Sequence, residues 1–195
     1  MKIPVKNSSS EMTIKGSRFL SESFVLASQS EIREIVKAQK QKYADATHVC
    51  HAFIFGKNAE IMGMSDDGEP GGTAGRPMLD VLKGRGVTNI LVTITRWFGG
   101  TLLGTGGLVK AYGDGTKNVI EATEFEELVE KSEFTFECDY QQYQSIKKIF
   151  EGYSISEITE DFGESIKITG KIYTSEFEDF KSTVFDKTNG KTKIV

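Results

Sequence analysis

Apolar positions along this chain change period several times, and each change marks an element. Residues 11–26 alternate in two runs around Lys15-Gly16-Ser17. That pattern predicts a hairpin with Phe19, Ser21, Ser23 and Val25 on one face and Leu20, Phe24 and Leu26 on the other. Ile32, Ile35, Val36 and Tyr43 then recur at helical spacing, and Ser28 with Glu31 fits a capping box at the start of that helix. Residues 47–56 predict a buried strand, with Val49, His51, Phe53 and Phe55 facing one way and His48, Cys50, Ala52 and Ile54 the other. Residues 59–64 are its expected hairpin partner. Met78, Leu79 and Leu82 mark the inner face of a helix that begins between Thr73 and Pro77 and ends at Gly84-Arg85-Gly86. The cleanest strand is 87–96, where Ile90, Val92 and Ile94 share a face and Arg96 falls on that face at the strand's end. A helix from about Gly106 to Ala122 carries Leu108, Tyr112, Gly115 and Val119 inward. Gly113 and Gly115, costly inside a helix, are expected to mark close packing against the sheet.

Charge density rises at Glu124–Lys131, which predicts a domain boundary there and a strand leading into a second domain. After it, Phe134, Phe136 and Cys138 alternate, Tyr143, Ile146 and Phe150 keep helical spacing, and Ile155–Phe162 is a less regular strand. Ile166, Ile168 and Ile172 alternate again, Phe177, Phe180 and Val184 mark a helix, and Lys191–Val195 is a short last strand. This β-α-β-β-α-β order is that of a ferredoxin-like split βαβ unit. The expected class is α+β, with domains at 1–130 and 131–195.

Composition narrows the function classes. The 195 residues carry 24 Lys and Arg against 28 Asp and Glu, a net charge of −4. Residues 1–130 hold 15 basic and 16 acidic side chains, so no basic excess marks a general nucleic-acid binder, although a local basic face stays open. Cys50 and Cys138 form no CxxC and sit in strand-like runs, where inert buried thiols are expected. Two histidines and two cysteines build no zinc set, so neither a metal nor a cofactor is expected. No apolar run reaches membrane-spanning length, and the start of the chain has no signal-peptide core, so a cytoplasmic protein without membrane contact is expected.

The candidate chemistry lies in two glycine-rich stretches. Between Gly68 and Gly115 stand 13 of the 20 glycines. The first stretch places Asp66, Asp67, Gly68 and Glu69 together. Three carboxylates so close suit a cation site or acid–base chemistry, or else a solvated turn whose acids cap the next helix. The second, Gly99-Gly100-Thr101-Leu102-Leu103-Gly104-Thr105-Gly106-Gly107, matches neither GxxxxGK[ST] nor GxGxxG. As a glycine loop opening a helix it offers free N–H groups to an anion or a nucleic-acid backbone, with Arg96 before it and Lys110 after; a tight strand-to-helix connection is the plainer alternative. His48 reads as a hydrogen-bonded strand histidine or as a base, and Trp97 and Phe98 as base-stacking rings or covers for the core edge. Arg96 begins at the core edge, so a bidentate pairing with Asp66, Asp67 or Glu69 is expected. That would leave Gly104–Gly107 and Lys110 for the anion.

Asp66-Asp-Gly-Glu-Pro70 with Gly72-Thr-Ala-Gly75, and Trp97-Phe-Gly-Gly100 with Leu103-Gly-Thr-Gly-Gly-Leu-Val109, resemble blocks of the YigZ/IMPACT family. Ala46-Thr-His-Val-Cys50 and Lys15-Gly-Ser-Arg-Phe19 resemble two more, all in family order. The resemblance implies the bacterial two-domain type: a ribosomal-protein-S5 domain-2-like domain followed by a ferredoxin-like one, similar to the last two domains of elongation factor G. Family relatives in eukaryotes act as translational regulators through a protein partner. It therefore implies a non-catalytic binding role in translation. The expected contact is structured RNA, the ribosome or a ribosome-associated protein, through the glycine loops and without DNA specificity. The alternative is a hydrolase of a phosphorylated or peptide-like small molecule using His48, Asp67, Glu69 and Arg96. No nucleophile–base pair is legible among them, which ranks catalysis second.

Overall fold

The strand with the cleanest alternation becomes the middle of a sheet. In a computed structural model, which describes residues 1–194, the chain divides into one unit over Met1–Leu128 and a second from Val129 onward. The first unit runs β1 (Lys2–Pro4), β2 (Ser8–Ile14), β3 (Ser17–Val25), α1 (Glu31–Lys42), β4 (His48–Phe55), β5 (Ile61–Ser65), α2 (Gly75–Arg85), β6 (Ile90–Trp97), α3 (Gly104–Ala122) and β7 (Phe125–Glu127). Five strands form an antiparallel sheet in the order β2-β3-β6-β4-β5.

Strand parity then assigns the layers. Ile90, Val92 and Ile94 of β6 join Phe19, Cys50, Ala52 and Ile54 in a core closed by Met78 and Leu82 of α2 and Leu108, Tyr112 and Val119 of α3. On the opposite face, Leu91 packs with Leu26 and Ile32, and Phe53 and Phe55 lean on this smaller cluster beneath α1. Both faces of β4 and β6 are therefore covered, which is why these strands read as nearly continuous apolar runs. The β2–β3 turn has positive φ at both Lys15 (47°) and Gly16 (81°), as a two-residue hairpin requires.

Three local expectations of the first unit change. No capping box forms on α1: Ser30 precedes its first turn, Ser28 Oγ bonds Ser30 Oγ at 2.8 Å, and the Glu31 carboxylate accepts the Ala27 N–H instead. Gly115 is indeed a close approach, since a Cβ there would lie 2.9 Å from Ser21 Oγ and 3.2 Å from Ile94 Cδ1. Gly113, one hundred degrees of helix rotation away per residue, faces open space. The acidic run after Thr123 does not open the second unit. It becomes β7, which pairs antiparallel with β1 and closes the first unit on itself.

The second unit runs β8 (Lys131–Cys138), α4 (Tyr140–Phe150), β9 (Ile155–Phe162), β10 (Ile166–Tyr173), a 3-10 turn (Thr174–Glu176) and α5 (Phe177–Lys187). Its sheet has the antiparallel order β8-β10-β9. Phe134, Phe136, Ile166, Ile168 and Ile172 pack on Ile146, Phe150, Phe180 and Val184. Asp139 caps α4 by accepting the Gln142 N–H at 2.8 Å. The expected last strand does not form over residues 191–194, and Val195 lies outside the described residues. The tail is bound elsewhere: Thr192 N donates to Thr188 Oγ1, and its hydroxyl donates to Gln142 Oε1 of α4. Those bonds hold it against helix ends rather than along a strand edge.

Candidate functional site

Asp66 and Asp67 build the acidic loop by satisfying backbone. The Asp66 carbonyl accepts the Glu69 N–H at 2.9 Å, closing a turn in which Asp67 (φ 44°) and Gly68 (φ 87°) are both left-handed. Asp66 Oδ1 accepts the N–H groups of Ala74 and Gly75 at 3.0 and 2.8 Å, and Oδ2 accepts that of Gly72 at 2.9 Å. It therefore caps α2, whose N-cap residue Ala74 has no side-chain oxygen to do so. Asp67 fixes the loop to the sheet: its Oδ2 accepts the Val49 N–H at 2.8 Å, and its Oδ1 pairs with Lys40. Both aspartates are thus spent on structure. Among the described residues no group of three or more His, Cys, Asp or Glu is placed to hold a metal ion.

Burial raises the Asp66 pKa, but the three amide donors from Gly72, Gly75 and Ala74 outweigh it and leave the carboxyl below its ordinary 3.8. A group depressed in the folded state stabilises above its unfolded pKa, and that stability is lost as pH falls through the folded value. We therefore expect the stability advantage of the parent over Asp66→Asn to be constant near neutrality and to shrink as pH falls below 3.8. Denaturant titrations of both proteins across that range check this; parallel stability–pH curves would refute it.

The same turn swings Glu69 into the core edge. Its side chain is 3% exposed, and Oε1 accepts from Arg96 Nη1 and from the Tyr112 hydroxyl, each at 2.7 Å. Arg96 is the partner expected from strand parity, but the contact is through one guanidinium nitrogen and not bidentate. Tyr112 occupies the same carboxylate oxygen, and Arg96 Nη2 is turned to Ser17 Oγ at 3.3 Å. Strand register gathers the rest: Arg96 is flanked by Phe19 of β3 and His48 of β4. The guanidinium carbon lies 5.4 Å from the Phe19 ring centre and 5.7 Å from that of Phe98. His48 Nδ1 lies 2.8 Å from the Asp67 carbonyl oxygen, while Nε2 is 3.8 Å from Glu69 Oε2.

Cys50, beneath this cluster, is fully buried, with Sγ 3.0 Å from the Asp66 carbonyl and 3.5 Å from the Tyr112 hydroxyl. Burial first, and then the carboxylates of Glu69, Asp67 and Asp66, push its thiol up to about 12. It is no nucleophile at neutral pH. Burial likewise raises Tyr112, so its hydroxyl remains a proton donor to Glu69. His51, on the other face of β4, is held neutral chiefly by burial.

Between the acidic loop and the second glycine loop lies a cavity of about 410 Å³. Glu69, Arg96 and His48 stand at its inner end. Phe98 and Leu102, 46% and 82% exposed, stand at its outer end, and Leu103, Gly104, Thr105 and Leu108 complete one wall. The structure thus brings together His48, Glu69, Arg96, Gly68, Gly104 and Thr105. Asp66 and Asp67 point elsewhere. Gly99 packs against the β2–β3 turn, while a Cβ added at Gly100 or Gly106 would meet nothing within 4 Å. A Cβ added at Gly107 would meet the Leu103 side chain at 3.1 Å. Lys110 is not at the cavity either: it is 77% exposed and paired with Asp114 one helical turn on, at 2.7 Å. The residues that sequence reasoning passed over are Tyr112, Ser17 and the apolar pair Leu102-Leu103. The last was visible as two leucines in the middle of a glycine loop.

The Impact N-terminal domain family matches residues 15–120, and a domain of unknown function, DUF1949, matches residues 136–191. An IMPACT family member of Haemophilus influenzae is 36% identical over 186 residues, spanning 94% of this chain and 90% of that protein. The IMPACT family member YigZ of Escherichia coli is 32% identical, over 93% of this chain and 90% of its own. A solved structure described as that of a hypothetical protein superposes over 100% of this chain and 95% of its own with a TM-score of 0.67, at 30% identity. No helix among the described residues is long and apolar enough to cross a membrane. From its matched domains and full-length relatives, the chain belongs to the IMPACT family.

Proposed function

We propose that this chain is a non-catalytic regulatory protein linked to translation, and that the cavity between its glycine loops holds part of a ribosome-associated protein. The observation that carries the contact is the make-up of the cavity. Its exposed end is Phe98 and Leu102, and the two charges at its buried end, Glu69 and Arg96, are paired with each other. Such a site suits an apolar anchor from a partner protein. A phosphate backbone would need free cations, and Lys110 is engaged with Asp114. The link to translation comes from the family resemblance, whose eukaryotic members are translational regulators. We read the first unit as S5 domain-2-like and the second as ferredoxin-like with three paired strands. The β8-β10-β9 order supports the latter.

A hydrolase reading draws on the approach of His48 to Glu69. It is weakened because Glu69 is held by Arg96 and Tyr112, Asp67 faces Lys40 and β4, and the Cys50 thiol is buried.

Co-sedimentation with ribosomes tests the proposal. Binding should persist from low to moderate salt, because an apolar anchor is little screened, and Leu102→Asp should abolish it without changing the melt. Sedimentation at background throughout would sink the proposal. Binding that falls steeply with salt and ignores Leu102→Asp would replace it with phosphate contact.

A further inference from the structure

We infer that the cavity takes the amino-terminal residue of an apolar polypeptide, its ammonium group held between Glu69 Oε2 and His48 Nε2. The inference builds on the protein-binding reading above and supplies the chemistry of its occupant.

His48 Nδ1 sits 2.8 Å from the carbonyl oxygen of Asp67, which can only accept, so Nδ1 carries a proton. In the neutral ring Nε2 is then an acceptor. Glu69 Oε1 receives both of the carboxylate's protein donors, Arg96 Nη1 and the Tyr112 hydroxyl. Oε2 receives no donor among the described residues, although the side chain is 3% exposed. Glu69 lines the cavity and Oε2 is not fully closed off there, so a donor entering the cavity can reach it. Oε2 and Nε2 lie 3.8 Å apart, too far for a mutual hydrogen bond. Two acceptors across a short gap repel an anion and invite a group with two N–H bonds. An ammonium supplies both, with charge assistance toward the carboxylate.

The opposite wall accepts the next atoms of such a residue. Gly104 and Thr105 open α3 there, and N-cap Leu103 provides no side-chain acceptor for the first turn. The first N–H groups of a helix lack intrahelical partners, so a carbonyl oxygen three bonds from the ammonium nitrogen finds donors. Phe98 and Leu102 offer apolar surface to the side chain. Leu102, at 82% exposure, leaves the outer end clear for a continuing chain.

The test uses the intact protein and three probes: the peptide Leu-Gly-Ser-Gly, the same peptide N-acetylated, and free leucine. Calorimetry and an amide NMR spectrum report binding. The free-amine peptide should bind and shift the amides of Gly68, Gly104 and Thr105, and acetylation should weaken binding roughly tenfold or more. His48→Leu should weaken the free-amine peptide alone, bringing it to the acetylated level. Equal affinity for the two peptides, or no shift from either at millimolar concentration, would overturn the assignment. Free leucine binding as tightly as the peptide would overturn the polypeptide occupant. If the peptides fail while Leu102→Asp still abolishes co-sedimentation, the ammonium site falls and the protein-binding cavity stands. If Leu102→Asp sediments like the parent, the cavity reading falls and takes this inference with it.

Discussion

Arg96→Lys should unfold well below the parent, losing on the order of 3 kcal/mol, as removal of one partner from a buried ion pair does. Arg96 and Glu69 side chains are 6% and 3% exposed. The guanidinium does three things that a single ammonium group cannot do together. It donates to Glu69, it donates to Ser17 Oγ on another strand, and its flat face lies near the Phe19 and Phe98 rings. Without it, the Glu69 carboxylate keeps only the Tyr112 hydroxyl as a donor. A melting midpoint lowered by roughly 10 °C is the expected scale for a unit of this size. Lys110→Ala is the control: its ion pair with Asp114 is exposed, and surface pairs of that kind contribute roughly 0–1 kcal/mol. If Arg96→Lys melts within a degree of the parent, the buried pair does not hold the loops.

The second large effect is expected at Gly99. A Cβ there would lie 1.9 Å from the Gly16 carbonyl carbon and 2.3 Å from Ser17 N, all backbone, with no flexible side chain to give way. Gly99→Ala must push the second glycine loop off the β2–β3 turn. It would also break the 3.2 Å bond from Gly99 N to Ser17 Oγ, the hydroxyl that Arg96 shares. Overpacking with forced backbone movement costs about 3 kcal/mol at the upper end of its usual range. Gly71→Ala, with nothing within 4 Å of its Cβ, should fall within about 0.5 kcal/mol of the parent. Chemical denaturation of the two variants side by side checks this. Equal midpoints would mean that the loop rides freely over the turn.

The layers of the fold were legible because burial on both sheet faces leaves a period-two record. Ile90, Val92 and Ile94 announced one core and the alternation in β4 announced both. Arg96 could be placed, and its need for a carboxylate argued, from the same parity. What parity does not contain is azimuth on a helix and long-range pairing. Lys110 lies in the second turn of α3, and its rotation sends it to Asp114; Tyr112, two residues on, turns inward to Glu69. The bidentate expectation failed because it counted carboxylates and not the phenol competing for one of their oxygens. The β1–β7 pairing joins residues more than a hundred positions apart, and three-residue strands carry too little pattern to announce it. The terminal strand failed for a related reason. Alternation in Lys191-Thr-Lys-Ile194 cannot say whether a sheet edge or a helix end will capture the segment.

The β1–β7 pairing decides whether the last residues of the first unit are held or free. Met1 O accepts the Leu128 N–H at 2.7 Å, and Val5 N donates to Glu124 O at 2.9 Å, so residues 124–128 are clamped at both ends. Removing the first five residues would release that segment from the first unit. Each freed residue adds up to about 3.3–3.6 Å of contour, roughly 17 Å in all. A three-residue strand at the start of the chain therefore fixes a segment that lies more than a hundred residues further along.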